Sequence, residues 1–489
     1  MKIVFATAEV SPIAKTGGLG DVCGSLPKAL AKMGHDVVIF MPYYRQARQW
    51  FEKHDLVPYQ AAPTATIVWA NWMAEATFLR TTLPGTEIPL ILVANDHFFE
   101  RDQIYARADD GTDDFLLRYT FFSRAVIRGC ELLDLRPDIL HAHDWHTALL
   151  PVYLDSGLRS APHFAKTRSV YTIHNLMYQG AAAADAFPLT GLHSRYWAPD
   201  AVEHFGTVNP MKGGILFADQ VTTVSPTYAR EIRASEHGAG LDGVLRGVSH
   251  KLTGILNGID VEEWDPATDP LLAANYDAET LKDKTKNKRA LAKEAGFKFS
   301  PKTPVIGSVS RLVGQKGFQL LIPVLDRLLA AGAQVALLGS GEPELEQALE
   351  EIAARHLSHC RVWIGFDNAL AHRIYAGADL LLMPSMFEPC GLNQMYALRY
   401  GTLPVVRLTG GLADTVIPFD GTNLGEANGF GFAAAHPVEL YLATWVAMLN
   451  FKDGHVWRSL QENGMAVDFS WERSAKDYER VYNLAADVH

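Results

Sequence analysis

The sequence lacks the features that would place it in a membrane, around a structural metal or along nucleic acid. No apolar run reaches the roughly 18 residues of a membrane-spanning helix. Only four cysteines occur, Cys23, Cys130, Cys360 and Cys390, and none form a Cys-x-x-Cys pair. That scatter suggests neither a zinc knuckle nor a disulfide framework and fits a reducing compartment. No Asp-x-Asp occurs anywhere, so a divalent metal held between closely spaced aspartates is not signalled. Basic charge is also scarce, with a formal net charge of -11. Wrapping nucleic acid needs clustered Lys and Arg to release counterions, so that partner is not expected, although one local basic pocket for a small anion is still allowed. The opening "MKIVFATAEV" reads as a buried strand and not as a charged region followed by a long apolar stretch. The expected location is therefore the cytoplasm, or an organelle after loss of a transit segment.

Core-forming material is plentiful. Hydrophobic residues make up 48% of the chain and charged residues 20%, the balance of a globular protein. At 489 residues the chain exceeds what one core usually supports, so two domains are expected. The first forty residues read strand (Lys2–Thr7), loop, helix, stop at Gly34, strand (Asp36–Phe40), which is a βαβ unit. Pro27 within the helical stretch predicts a kink. Strands follow at "IPLILVAN", "PDILHAH", "RSVYTIHN" and "DQVTTVS", with helical patterns between several of them. After a Lys-rich passage, "TLKDKTKNKRALAKEAG", taken as a solvated helix, the alternation restarts at Pro304 with "PVIGSVS", "QVALLGSG", "RVWIGF", "DLLLMPS" and "LPVVRL". The expected fold is α/β, with two Rossmann-like doubly wound domains. Expected boundaries are 1–253, 254–465 and a helical segment 466–489. In that last segment Trp471, Ala475, Tyr478 and Tyr482 share one helical face that must pack on something.

One motif appears twice. "KTGGLGDV", Lys15 to Val22, opens the first helix, and "TGGLADTV", Thr409 to Val416, returns near the other end. The ordinary role of a Gly-Gly pair is a tight turn. Two copies, each opening a helix after a strand, favour a ligand, because a helix N-terminus presents unpaired N–H groups and attracts phosphate. Neither copy is a Walker A loop or a dinucleotide fingerprint. If the two sheets faced each other, both entrances could address one ligand beyond the strand ends. "SRLVGQKGF" adds Arg311 and Lys316 beside glycines at a strand end. Such cations usually sit on a solvated loop, but this arrangement also suits a diphosphate leaving group. Glu388 and Cys390 lie between a strand and a helix in "SMFEPCGLNQ", where a carboxylate can accept hydrogen bonds from hydroxyls or simply complement a helix start. "HAHDWH" places Asp144 and His146 as polar site residues in preference to zinc ligands, and "TIHN" puts His174 and Asn175 at another strand end.

Together, "KTGGLGDV", "HAHDWH", "TIHNLMYQG", "TTVSPTYAREI", "LNGID", "SRLVGQKG", "HRIYAGADLLLMPSMFEPCGLNQ" and "YGTLPVVRLTGGLADTV", in this order, resemble the bacterial glycogen synthase and plant starch synthase family over nearly the whole chain. The resemblance implies the glycosyltransferase-B fold, with the C-terminal helix crossing back to the N-terminal domain. It also implies metal- and cofactor-free transfer of glucose from ADP-glucose to the non-reducing end of an α-1,4-glucan, with retention of configuration. Under it, Lys15, Gly17 and Gly18 meet the donor phosphates and sugar, and Asp21 lies on the acceptor side. Asp144 and His174 contact the glucosyl unit, Asn175 is a further substrate-binding residue, and Asn257 marks the hinge side of the cleft. Arg311 and Lys316 neutralise the diphosphate, with Gln315 in the same loop, and Glu388 orients the glucose. Cys390, Gly391, Leu392 and Gln394 line the pocket, and Thr409, Gly410 and Gly411 close over the phosphates. Two positions depart from the pattern. Tyr396 stands where related retaining enzymes often carry a second glutamate, and Phe366 where a tyrosine often faces the adenine. The bacterial cytoplasm is the implied location, with the plastid stroma as the alternative. Another enzyme on the same fold, such as a phosphorylase, or a non-catalytic glucan-binding protein remain the competing classes.

Overall fold

The computed structural model describes residues 1–105 and 113–487. It divides into two compact units, Met1–Gly258 with Trp471–His489, and Ile259–Ser470.

The first unit is built on a ten-stranded sheet. Lys2–Ala6 lies at its middle, paired in parallel with Asp36–Pro42 on one side and Ile139–His143 on the other, so that Val4 faces Val38 and Leu140. Parallel strands continue outward through Pro89–Ala94 on one flank and through Arg168–Ile173, Gln220–Thr223 and Leu252–Gly254 on the other. Their runs, such as "VVIFM", are apolar throughout because helices cover both faces. Beyond Pro89–Ala94 the sheet turns antiparallel through Trp72–Thr82, which pairs with Ala65–Trp69 and Tyr59–Gln60. Burial alternates along Ala65–Trp69, as expected for strands wet on one face. This extension was not among the strands read from sequence.

The first helix spans Gly18–Lys32 and continues through Pro27. The final helix, Trp471–Ala486, packs on the Gly18–Lys32 helix and on strands of the first sheet. It buries Trp471, Ala475, Tyr478 and Tyr482 as their spacing predicts, and the Tyr482 hydroxyl meets His141 Nδ1 at 2.9 Å.

The second unit holds six parallel strands in the order Cys360–Ile364, Gln334–Gly339, Val305–Val309, Leu380–Met383, Leu403–Arg407, Phe430–Phe432. Its core combines Ile306, Val335, Leu337, Leu380 and Leu382 with the apolar face of the Phe318–Ala330 helix. The Lys-rich passage corrects the sequence reading. Its helix, Lys284–Ala295, buries Lys284, Asn287 and Lys288. Lys284 Nζ donates to the carbonyls of Tyr375 (3.0 Å) and Ala376 (2.7 Å) and to Thr402 Oγ1 (2.7 Å). Lys288 pairs with Asp379 at 2.7 Å. A lysine with its donors satisfied can sit inside, and composition does not reveal whether such partners exist.

Candidate active site

In each sheet the strand order reverses direction at one point. A crevice beyond the strand ends forms there, where open α/β folds bind ligands. In the first unit this point lies between Lys2–Ala6 and Ile139–His143. The loop after the former carries Lys15, Gly17 and Gly18, and Asp144 directly follows the latter. In the second unit it lies between Val305–Val309 and Leu380–Met383. The loops after these strands carry Arg311, Gln315 and Lys316, and Glu388 respectively.

In the first unit, Lys15 Nζ holds Asp21 Oδ1 at 2.6 Å across the start of the helix. A Cβ added at Gly17 or Gly18 would meet nothing within 4 Å, so the backbone there is bare and open. Glu9, which the sequence reading passed over, lies beneath this entrance. It accepts from Thr16 N at 2.6 Å, Thr16 Oγ1 at 2.8 Å and Gly17 N at 3.2 Å, and from the Tyr105 hydroxyl. Its only sequence signal is a lone acid inside an otherwise apolar strand-end run, "ATAEVSPIA".

Asp144 adopts φ +54, a left-handed conformation that aspartate tolerates better than most residues. One of its oxygens accepts from the backbone N–H of His174 (2.7 Å) and of Asn175 (3.3 Å), tying two strand ends together. Burial raises the Asp144 carboxyl to about 7 despite these hydrogen bonds. Burial also lowers His174 to about 3, so its ring is neutral near pH 7 and provides a hydrogen bond and no positive charge. His143 Nδ1 and His174 Nε2 lie 3.0 Å apart, one donating to the other. His141 is bonded to Thr172 Oγ1 (2.7 Å) and to Tyr482, and among the described residues no group of three or more His, Cys, Asp or Glu is arranged to hold a metal ion. His146 stacks on Tyr105 at 5.1 Å. Both ring nitrogens of His146, His143 Nε2, His174 Nδ1 and Asn257 Oδ1 are buried without a protein partner. Polar atoms left in this state generally meet water or a ligand.

In the second unit, Lys316 Nζ grips both oxygens of Glu388, at 2.9 and 2.7 Å, and Ser385 Oγ donates to the second at 2.9 Å. Glu388 is 5% exposed, so this pair seats a carboxylate against its cationic partner inside the protein. The two loops are locked backbone to backbone. Met386 N donates to Gln315 O at 2.8 Å, and Gln315 Nε2 reaches Phe387 O at 3.4 Å. Arg407, also unforeseen, donates to Met386 O at 2.6 Å. Arg311 is exposed at the strand end. Cys390 is buried, with Gly391 and Leu392 half-buried beside it. Gln394 turns its amide inward to Cys390 O (3.1 Å), Gly391 O (2.9 Å) and Thr415 Oγ1 (3.1 Å), where it shapes the loop. Phe366 is 88% exposed, on the loop that follows Cys360–Ile364. Tyr396 stacks on Trp264 at 3.8 Å, with His372 on the other face of the indole at 3.9 Å, so it belongs to an aromatic core cluster.

The repeated Thr-Gly-Gly motif has two different physical causes. Gly410 sits at φ +47, and a Cβ there would collide with the Glu388 carbonyl, as one at Gly411 would with Cys390 O. Gly411 N already donates to Glu388 O at 3.1 Å and to Pro389 O at 3.2 Å. The second copy therefore needs glycine to press against the Glu388–Cys390 backbone, whereas the first leaves its glycines open.

Residues 2–247 match the family described as the starch synthase catalytic domain, and residues 292–435 match glycosyl transferases group 1. The chain is 43% identical over 486 residues to a glycogen synthase of Thermotoga maritima, covering 99% of each. It is 44% identical over 486 residues to a glycogen synthase of Geotalea uraniireducens, also with 99% of each covered. Among solved structures, the catalytic domain of starch synthase IV from Arabidopsis thaliana bound to ADP and acarbose superposes with a TM-score of 0.88 at 37% identity, over 99% of each chain.

Proposed function

This chain belongs to the glycogen and starch synthase family, and from that premise we propose how its residues divide the transfer of glucose from ADP-glucose to the non-reducing end of an α-1,4-glucan. It is a glucosyltransferase of glycogen or starch synthesis. The observation that carries the division of roles is the buried Lys316–Glu388–Ser385 group at the reversal point of the second sheet, beside exposed Arg311.

Breaking the bond between the glucose anomeric carbon and the phosphate oxygen builds positive charge on the sugar ring and negative charge on ADP. Lys316 and Arg311 stabilise the departing diphosphate, and in the first unit Lys15 and the open N–H group at Gly18 form an anion-binding helix entrance. Glu388, held in place by Lys316, accepts hydrogen bonds from the sugar hydroxyls. In the first unit, Asp144 and His174 offer groups that hydrogen-bond a sugar, with His174 acting as a neutral hydrogen-bonding group. The acceptor hydroxyl oxygen attacks the anomeric carbon on the face that the phosphate leaves, and its proton passes to the departing phosphate oxygen, so configuration is retained and no glucosyl-enzyme forms. The positive charge comes from side chains, so activity is expected to survive EDTA.

The deciding experiment measures ADP release from ADP-glucose with and without glycogen. Glucan-dependent release by the wild type and a loss of about 100-fold or more in Lys316→Ala are expected. Release independent of glucan, an active Lys316→Ala, or a sugar trapped on Glu388 or Asp144 would each overturn the assignment.

A further inference from the structure

We infer that Glu9 is a positioning residue for the donor, fixing the Lys15–Gly18 entrance in its working shape; the inference rests on the reading of that entrance given above. Glu9 is 3% exposed, and its backbone is pinned by a reciprocal pair with Thr7 Oγ1, at 3.0 and 3.2 Å. Its side chain faces donors only. Oε2 takes the N–H groups of Thr16 and Gly17, and Oε1 takes the Thr16 and Tyr105 hydroxyls. A carboxylate offers about four acceptor sites, so it matches this set, whereas an amide would turn a donor against donors.

No lysine, arginine or histidine among the described residues forms an ion pair with Glu9, and the nearby Lys15 is committed to Asp21. A buried carboxylate without a cation is costly, and here four converging donors offset that cost. The carboxylate also consumes the N–H groups of Thr16 and Gly17, and Gly20 N donates to Gly17 O at 3.1 Å, which leaves the N–H groups of Gly18 and Leu19 as the open donors of the helix start for the ligand. The loop is closed further by the Val10–Ala14 backbone pair, at 2.9 Å each way, and by Ser11 N to Gly20 O at 2.9 Å. Tyr105 stacks on His146, so Glu9 also couples the entrance to the segment that follows Ile139–His143.

The test uses the full-length enzyme carrying Glu9→Gln, which preserves size. At an unchanged KM for glycogen, kcat/KM for ADP-glucose is expected to fall roughly tenfold or more, as for loss of charge-assisted hydrogen bonds. ADP affinity should fall alongside, and amide exchange at Thr16, Gly17 and Gly18 should speed up. Thr16→Val and Tyr105→Phe, which each remove one donor, should give smaller losses of the same kind, and Thr16→Val should add less than its full effect on top of Glu9→Gln. These two variants decide the matter if Glu9→Gln does not fold. Wild-type kcat/KM for ADP-glucose with unchanged amide exchange would overturn the inference, as would equal losses toward both substrates that track a fall in melting temperature. If the wild type itself turns over no ADP-glucose, the functional reading fails. ADP affinity and amide exchange at residues 16–18 then judge the positioning role separately.

Discussion

Asp144 and His174 show how burial sets opposite protonation at neighbouring positions. With its carboxyl at about 7 in the fold, Asp144 keeps a proton between about pH 4 and 7 that the unfolded chain gives up. Its contribution to stability therefore falls as pH rises through that window and is level above it. His174, lowered to about 3, works in the opposite sense. The unfolded chain binds the extra proton between about pH 3 and 6.5, so stability is lost as pH falls through that range. Buried His141, His143 and His146 act in the same direction as His174. Asp144→Asn should therefore gain stability over wild type progressively from pH 5 to 7.5, by roughly 2–4 kcal/mol at the upper end, measured by urea unfolding at each pH. A pH-independent difference would contradict the burial argument. At Lys316 the expected cost is to stability as well as rate. Its removal leaves Glu388 buried without a counter-charge, which should cost about 3–5 kcal/mol in unfolding of the second unit. Replacing both partners by Met and Gln should restore part of that stability and none of the activity.

At the scale of elements, the two Thr-Gly-Gly copies predict opposite phenotypes from the same substitution. Gly410→Ala or Gly411→Ala should destabilise the second unit by about 2–4 kcal/mol, because the added methyl meets carbonyl oxygens of the Glu388–Cys390 segment. Gly18→Ala should leave the melting temperature within a degree or two and weaken ADP binding, since the space it fills is open. Calorimetric melting and titration with ADP distinguish the two. The Lys284–Ala295 helix makes a parallel point. Lys284→Met should cost about 2–4 kcal/mol by removing the buried Lys284 donor from the Ala376 carbonyl and leaving the Tyr375 carbonyl with Thr402 Oγ1 alone. A solvated lysine would change stability by less than about 0.5 kcal/mol.

For the molecule as a whole, the chain completes its first unit with its last helix. Ending the protein after Ser470 removes the cover over His141 and the strands around it, so the truncated chain should lose the cooperative melting of the first unit and become prone to aggregation. Tyr482→Phe alone should cost about 1–2 kcal/mol by orphaning a buried imidazole nitrogen. Much of this architecture was legible in the sequence. Runs of apolar residues at strand length, glycine and proline stops, and the four-three spacing of Trp471, Ala475, Tyr478 and Tyr482 are local signals that backbone periodicity imposes. Lys316, Glu388, Asp144 and His174 were also visible, because charged or imidazole groups at strand ends stand out against apolar neighbours. The structure added the antiparallel edge of the first sheet. It also buried two lysines, separated the roles of the two glycine pairs, and brought forward Glu9, Ser385 and Arg407. These share one physical reason. Whether a polar group is paired, or a glycine crowded, depends on atoms brought close by folding from distant parts of the chain, and hydrophobic periodicity carries no record of them. The sequence by itself determined where strands and helices form and which residue types reach the strand ends. Tertiary contact decided which of those residues stay open and which are spent on the protein itself.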